Sequence, residues 1–149
     1  MGYIGIVFIF ILEGDKVMNQ NIMIAILLLV VLVLWTFMQY LSNRGIVSIS
    51  PSDAKKRLDT EKGIILLDVR TKEEYIEKHL PKSILIPLNT LASEASRKLP
   101  QKNAEIFVYC RSGNRSKTAV RILLKQGYTN VYNLGGIVRW PYETVSGKR

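Results

Sequence analysis

The sequence contains a single cysteine, Cys110, and the residues that follow it read Arg111-Ser112-Gly113-Asn114-Arg115-Ser116. Ahead of it lies the apolar run Ile106-Phe107-Val108-Tyr109, which suits a buried strand. Behind it, from Ser116 to Gln126, Ala119, Val120, Leu123 and Leu124 fall on one face of a helix that Gly127 stops. A strand, a tight loop and a helix N-terminus aim several backbone N–H groups into one concavity, with the positive end of the helix dipole behind them. Gly113 permits a backbone conformation that a side chain resists, and Arg111 and Arg115 add two permanent positive charges. Such a cradle stabilises an anion, so a thiolate at Cys110 is expected to form at lowered pH and act as a nucleophile. The competing reading makes Cys110 a small core residue at a strand end. An inert cysteine has no use for two arginines around a glycine, which favours the reactive thiol.

Other polar residues invite catalytic readings. Asp68 and Arg70 could be an acid/base pair, and His79, the single histidine, could be a general base. The expectation is structural instead: Arg70 pairs with Glu74 across a helix cap, and Asp68 fixes the loop after its strand by accepting N–H bonds. One Cys excludes an internal disulfide, and one Cys with one His gives too few ligands for a zinc site. Neither GxGxxG nor a Walker loop occurs, so nucleotide binding has no support. No metal and no cofactor are expected.

The elements that must hold these residues alternate. Ile46–Ile49 reads as a short strand, and Ser50 and Pro51 open a helix to about Leu58. Ile64-Ile65-Leu66-Leu67 is a strand covered on both faces, and Thr71-Lys72-Glu73-Glu74 is a capping box opening a helix that ends before Pro81. A third strand over Ile84–Ile86 precedes a helix over Leu88–Lys98. After the Cys110 segment come a strand over Val131–Leu134, Gly135-Gly136 and a helical turn over Ile137–Trp140. Tyr75, Phe107 and Trp140 are expected in the core. This order implies an α/β domain of three layers, with a central, mostly parallel sheet and helices on both faces, and a site at the carboxyl ends of its strands.

Leu67-Asp68-Val69-Arg70, Glu74-Tyr75, His79-Leu80-Pro81, Val108 through Ser116, Gly127-Tyr128, Val131 through Gly136 and Trp140 follow one another in the order and spacing of a single-domain rhodanese. The chain resembles that family over residues 46–149, most specifically in Cys-Arg-Ser-Gly-Asn-Arg-Ser. The resemblance implies a sulfurtransferase in which Cys110 accepts a sulfane sulfur as a persulfide and a thiol or other acceptor removes it. It implies that the loop N–H groups of Arg111, Ser112, Gly113, Asn114, Arg115 and Ser116, with the two arginines, hold a small anionic donor, and that His79 packs a loop. Related phosphatases carry a loop one residue longer, so four residues between Cys110 and Arg115 favour sulfur over phosphate. One departure stands out: Lys78 and Lys82 occupy positions where the family often has glycine, which leaves donor preference open. The alternative function keeps the fold but makes the domain a binding or regulatory module without turnover.

The remainder of the chain has another character. Residues 1–41 hold 30 apolar residues, against 41 in the following 108. Ile22–Leu41 contains 18 apolar residues in 20, with no charge, Gly or Pro. As a helix it would be about 30 Å long, the thickness of a hydrocarbon core. It has neither the basic n-region nor the cleavage site of a signal peptide, so a retained single-pass anchor in the cell membrane is expected. Arg44, Lys55, Lys56 and Arg57 follow it, whereas Lys16 precedes it beside two acids, which places the domain on the cytoplasmic side. Residues 1–21 contain a second apolar stretch, Tyr3–Leu12, too short to span. It is either an interfacial segment or untranslated, since Glu13-Gly14-Asp15 can be encoded by a purine-rich sequence resembling a ribosome-binding site shortly before Met18. Residues 42–45 form a linker. After position 41 there are 20 basic and 10 acidic residues, scattered and without interleaved aromatics, which favours attraction to anionic headgroups over nucleic acid.

Overall fold

A computed structural model describes residues 19–38 and 45–147. The Tyr3–Leu12 segment, Met18, the last three residues of the expected span and linker residues 42–44 lie outside the described residues. The chain divides into two compact units, with the boundary between Arg44 and Gly45. In the first, Asn19–Met38 forms a 20-residue helix (α1) of mean hydropathy 2.7, long and apolar enough to cross a membrane.

The second unit is built on five strands, β1 (Val47–Ser48), β2 (Ile65–Asp68), β3 (Ile84–Leu85), β4 (Glu105–Cys110) and β5 (Asn130–Gly136). They lie in the order β1-β5-β4-β2-β3, and every pairing is parallel. The crossovers carry α2 (Pro51–Thr60), α3 (Lys72–Glu77), α4 (Leu88–Lys98) and α5 (Asn114–Lys125), and a 3₁₀ turn, η1 (Ile137–Arg139), closes β5.

Strand side chains alternate between two cores, as a period of two requires. Leu67, Ile106, Val108 and Cys110 face Leu91 and Ala95 of α4, Leu99 just beyond its end, and Ala119, Val120 and Leu123 of α5. Leu66, Phe107, Tyr109 and Leu134 face Ala54 of α2, Leu80 and Ile137, with Trp140 packed partly buried against them. Both faces of the central strands are therefore dry, which explains their unbroken apolar runs.

Local chemistry sets the helix ends. Ser50 Oγ accepts the Asp53 N–H at 3.1 Å and Pro51 needs no partner, so α2 starts there. Thr71 Oγ1 accepts the Glu74 N–H at 3.3 Å while Glu74 accepts the Thr71 N–H at 3.1 Å, completing the capping box of α3. Helix α5 begins at Asn114, two residues earlier than the apolar periodicity implied, because Gly113 at φ 111° turns the loop directly into the first turn.

Candidate active site

Cys110 is the last residue of β4, the central strand, and is 1% exposed. The Gly113 N–H donates to its Sγ at 3.1 Å. Burial by itself raises a thiol pKa. Here the backbone N–H groups of Ser116, Gly113 and Ser112 outweigh it and leave Cys110 below the ordinary thiol value. No acidic residue belongs to the first turn of α5, whose N-terminal dipole favours a negative charge on the sulfur.

The next strand shapes this loop. Pairing between β4 and β5 runs in register to Val108 and Asn133, then shifts so that Tyr109 meets Gly135 and Cys110 meets Gly136. This bulge is accommodated by Gly135 at φ 92°. A Cβ on Gly136 would lie 2.5 Å from the Arg111 carbonyl oxygen and 2.7 Å from Ser112 Cα, so glycine is required for the loop to pass over the strand end. Asn133, buried in β5, accepts the Ser116 hydroxyl at 2.6 Å and the Gly135 N–H at 3.2 Å through one Oδ1, tying helix, loop and bulge together. Sequence reasoning assigned Asn133 no role. The available signal was an amide between the apolar residues of Val131-Tyr132-Asn133-Leu134.

The arginines of the loop differ. Arg111, Ser112 and Asn114 are exposed, whereas Gly113 and Ser116 are buried. Arg115 is half-buried and makes a bidentate pair with Glu74, at 2.7 and 2.8 Å. The Arg115 guanidinium, helped by the Thr71 N–H and opposed by partial burial, holds the Glu74 carboxyl down at about 2. This corrects the expected Arg70–Glu74 pair. Arg70 instead donates to Asp68, with Nε at 3.0 Å and Nη2 at 2.7 Å, because residues two apart on an extended chain share a side. Asp68 also accepts the Arg70 backbone N–H at 2.9 Å, as anticipated for a residue fixing its loop. Both partners are buried, and Arg70 reaches on to the Lys78 carbonyl at 2.5 Å.

His79 stacks on Tyr75 with ring centroids 3.8 Å apart, and its Nδ1 lies 2.7 Å from the Tyr75 carbonyl oxygen, which is loop packing. A cavity of about 570 Å³ opens at the carboxyl edge of the sheet among the starts of α3, α4 and α5, with Val69, Lys72, Leu88 and Arg115 in its walls. Among the described residues no group of three or more His, Cys, Asp or Glu side chains is arranged to hold a metal.

A cysteine at the end of a central parallel strand, under the N–H groups of a short arginine-bearing loop, is the site geometry to compare with known proteins. The rhodanese-like domain family matches residues 50–142. The chain belongs to this rhodanese-like family. Over 71 residues it is 39% identical to thiosulfate sulfurtransferase PspE of Escherichia coli, covering 48% of this chain and 68% of that protein. Over 86 residues it is 42% identical to adenylyltransferase and sulfurtransferase uba4 of Ogataea parapolymorpha, covering 57% of this chain but 22% of that longer protein. A solved structure described as rhodanese with anions from E. coli is similar with a TM-score of 0.54 at 36% identity, covering 56% of this chain and 99% of that one. The rhodanese family thus accounts for the parallel sheet, and its curated members among these relatives are sulfurtransferases.

Proposed function

We propose that the protein is a membrane-anchored sulfurtransferase that carries sulfur as a persulfide on Cys110. The observation that supports this most directly is the Gly113 N–H on Sγ at 3.1 Å, in a loop whose donors favour the thiolate. The Cys110 thiolate attacks the outer sulfur of a donor such as thiosulfate. A sulfur–sulfur bond forms at Cys110, the donor's own sulfur–sulfur bond breaks, and sulfite leaves with the bonding electron pair. An acceptor thiolate or cyanide then attacks the outer persulfide sulfur and returns the electron pair to Cys110. No proton must move in either half, so the cradle needs charge stabilisation and not a general base. The N–H groups of residues 111–116 and the Arg111 charge would hold the donor. Arg115, neutralised in part by Glu74, would act mainly through its field and by fixing the start of α5. Asp68, Arg70 and Glu74 would support the frame. The name of the PspE relative supports thiosulfate as donor.

Ile22–Leu41 would anchor the chain, with the catalytic unit facing the cytoplasm. The full chain should convert thiosulfate and cyanide to thiocyanate, and Cys110→Ser should not. Equal rates for both would overturn the proposal, and anion binding without turnover would favour a binding module. Alkaline extraction should leave the chain in the membrane fraction, and protease added to sealed cells should spare the catalytic unit. Release by alkali or cleavage from outside would contradict the anchor or its orientation.

A further inference from the structure

The proposed donor is an anion, yet one of the two loop arginines is committed elsewhere, since Arg115 spends both terminal guanidinium nitrogens, Nη1 and Nη2, on Glu74. A third arginine reaches the loop through the fold. Arg139, in η1, is exposed, and the adjacent Val138 N–H donates to the Arg111 carbonyl at 3.3 Å, which ties η1 to the loop. Its Nη2 lies 3.7 Å from the point where a Cβ on Gly113 would stand and 3.2 Å from the same point on Gly135. These glycines border the cradle: the Gly113 N–H donates to Cys110 Sγ, and the Gly135 carbonyl lies 3.3 Å from the Ser116 hydroxyl. A Cβ on Gly135 would crowd the guanidinium, whereas one on Gly113 would meet it at ordinary contact distance.

The placement suits an anion. Arg139 lies beside Gly113, the N-cap of α5, at the positive end of a helix with no acid in its first turn. Among the described residues, no carboxylate forms an ion pair with Arg139 or Arg111. Arg139 therefore brings a positive charge with no carboxylate partner among the described residues to the Gly113–Gly135 edge of the loop, where an anionic donor would supply its counterion.

We infer that Arg139 is a donor-positioning residue, whose guanidinium takes the anionic end of the sulfur donor at the Gly113–Gly135 edge of the loop and favours highly charged donors over neutral ones. This rests on the sulfurtransferase reading, and its test is separable from that reading. Cys110 is the sole thiol, so every alkylation event reports on it. Rates with iodoacetate and iodoacetamide are measured on the full chain in non-ionic detergent, where their ratio reads the local potential without any sulfur transfer. Arg139→Gln should lower the iodoacetate-to-iodoacetamide ratio by about three- to tenfold, the effect of removing one nearby unit charge. Arg139→Lys should preserve most of the ratio, and Arg97→Gln, on exposed α4 surface, should leave it unchanged. The KM for thiosulfate should rise by a similar factor with kcat little altered.

An unchanged ratio in Arg139→Gln, an equal fall with both reagents, or a Cys110 closed to both would overturn the inference. If the ratio falls as expected but thiosulfate yields no persulfide, the anion role of Arg139 stands and the sulfurtransferase reading fails. If persulfide forms while the ratio is unmoved, the reverse holds.

Discussion

At Cys110 the competition is between burial, which disfavours the thiolate, and several N–H donors, which favour it and prevail. The reactive form is the deprotonated one, so the rate of sulfur acceptance should rise with pH and reach a plateau, with a midpoint below that of an ordinary thiol. Asn133→Ala removes the acceptor that holds the Ser116 hydroxyl and the Gly135 N–H, and should move that midpoint upward. A pH-rate profile of both proteins checks this. Glu74 and Arg115 form a partly exposed pair, worth about 1 kcal/mol after solvent screening. Because the Glu74 carboxyl is depressed, that contribution is present above its ordinary value near 4.5 and is lost as pH falls through about 2. Denaturant titration should find Glu74→Gln about 1 kcal/mol less stable at pH 7, with the gap closing in acid. Cys110 and its arginines were legible in the sequence because they are adjacent. Partner choice was not: Glu74 sits at a helical spacing from Arg70, but Arg70 stands on extended chain and Arg115 arrives from 41 residues away.

Two turns show how an element accepts or refuses a residue. Gly136 lies under the Cys110 loop with no room for a Cβ against the backbone of Arg111 and Ser112. Gly136→Ala should therefore displace the loop, costing about 1–3 kcal/mol of stability. It should also lower sulfur transfer by about 10²-fold, since a shift of about 1 Å is enough to spoil the alignment. Thermal unfolding and thiocyanate formation measure the two effects. Leu80-Pro81-Lys82-Ser83 is a turn closed by the Ser83 N–H on the Leu80 carbonyl at 3.1 Å, with Pro second and Lys82 third at φ 62°. Such a type II turn wants glycine in its third position. Among the described residues Lys82 is the one non-glycine with positive φ, and Lys82→Gly should raise stability by about 0.5–1 kcal/mol in denaturant titration. Lys78, the other lysine at a family glycine position, has φ −165°, ordinary extended backbone that costs nothing. The sequence showed both departures alike, and the backbone separates them. Strand and helix order were legible from apolar runs and caps, whereas the bulge that brings Gly135 and Gly136 beneath the loop depends on pairing between β4 and β5 and has no local signature.

At the scale of the molecule, the sheet was legible because a strand buried on both faces is continuously apolar where it is covered, as are residues 65–67 of β2 and 106–110 of β4. Arg139 was not, because it reaches the cradle only after β5 and η1 bring residues 135–139 back beside residue 113. The charge asymmetry has a consequence at this scale too, since the 10 excess positive charges after residue 41 would attract the proposed anionic donor. The central claim remains the persulfide. The full chain, incubated with thiosulfate and freed of excess donor, is weighed intact by mass spectrometry. Wild type should gain the mass of one sulfur atom, lose it on addition of cyanide, and show no such gain as Cys110→Ser. No gain at any donor concentration, or an equal gain in both proteins, would contradict it.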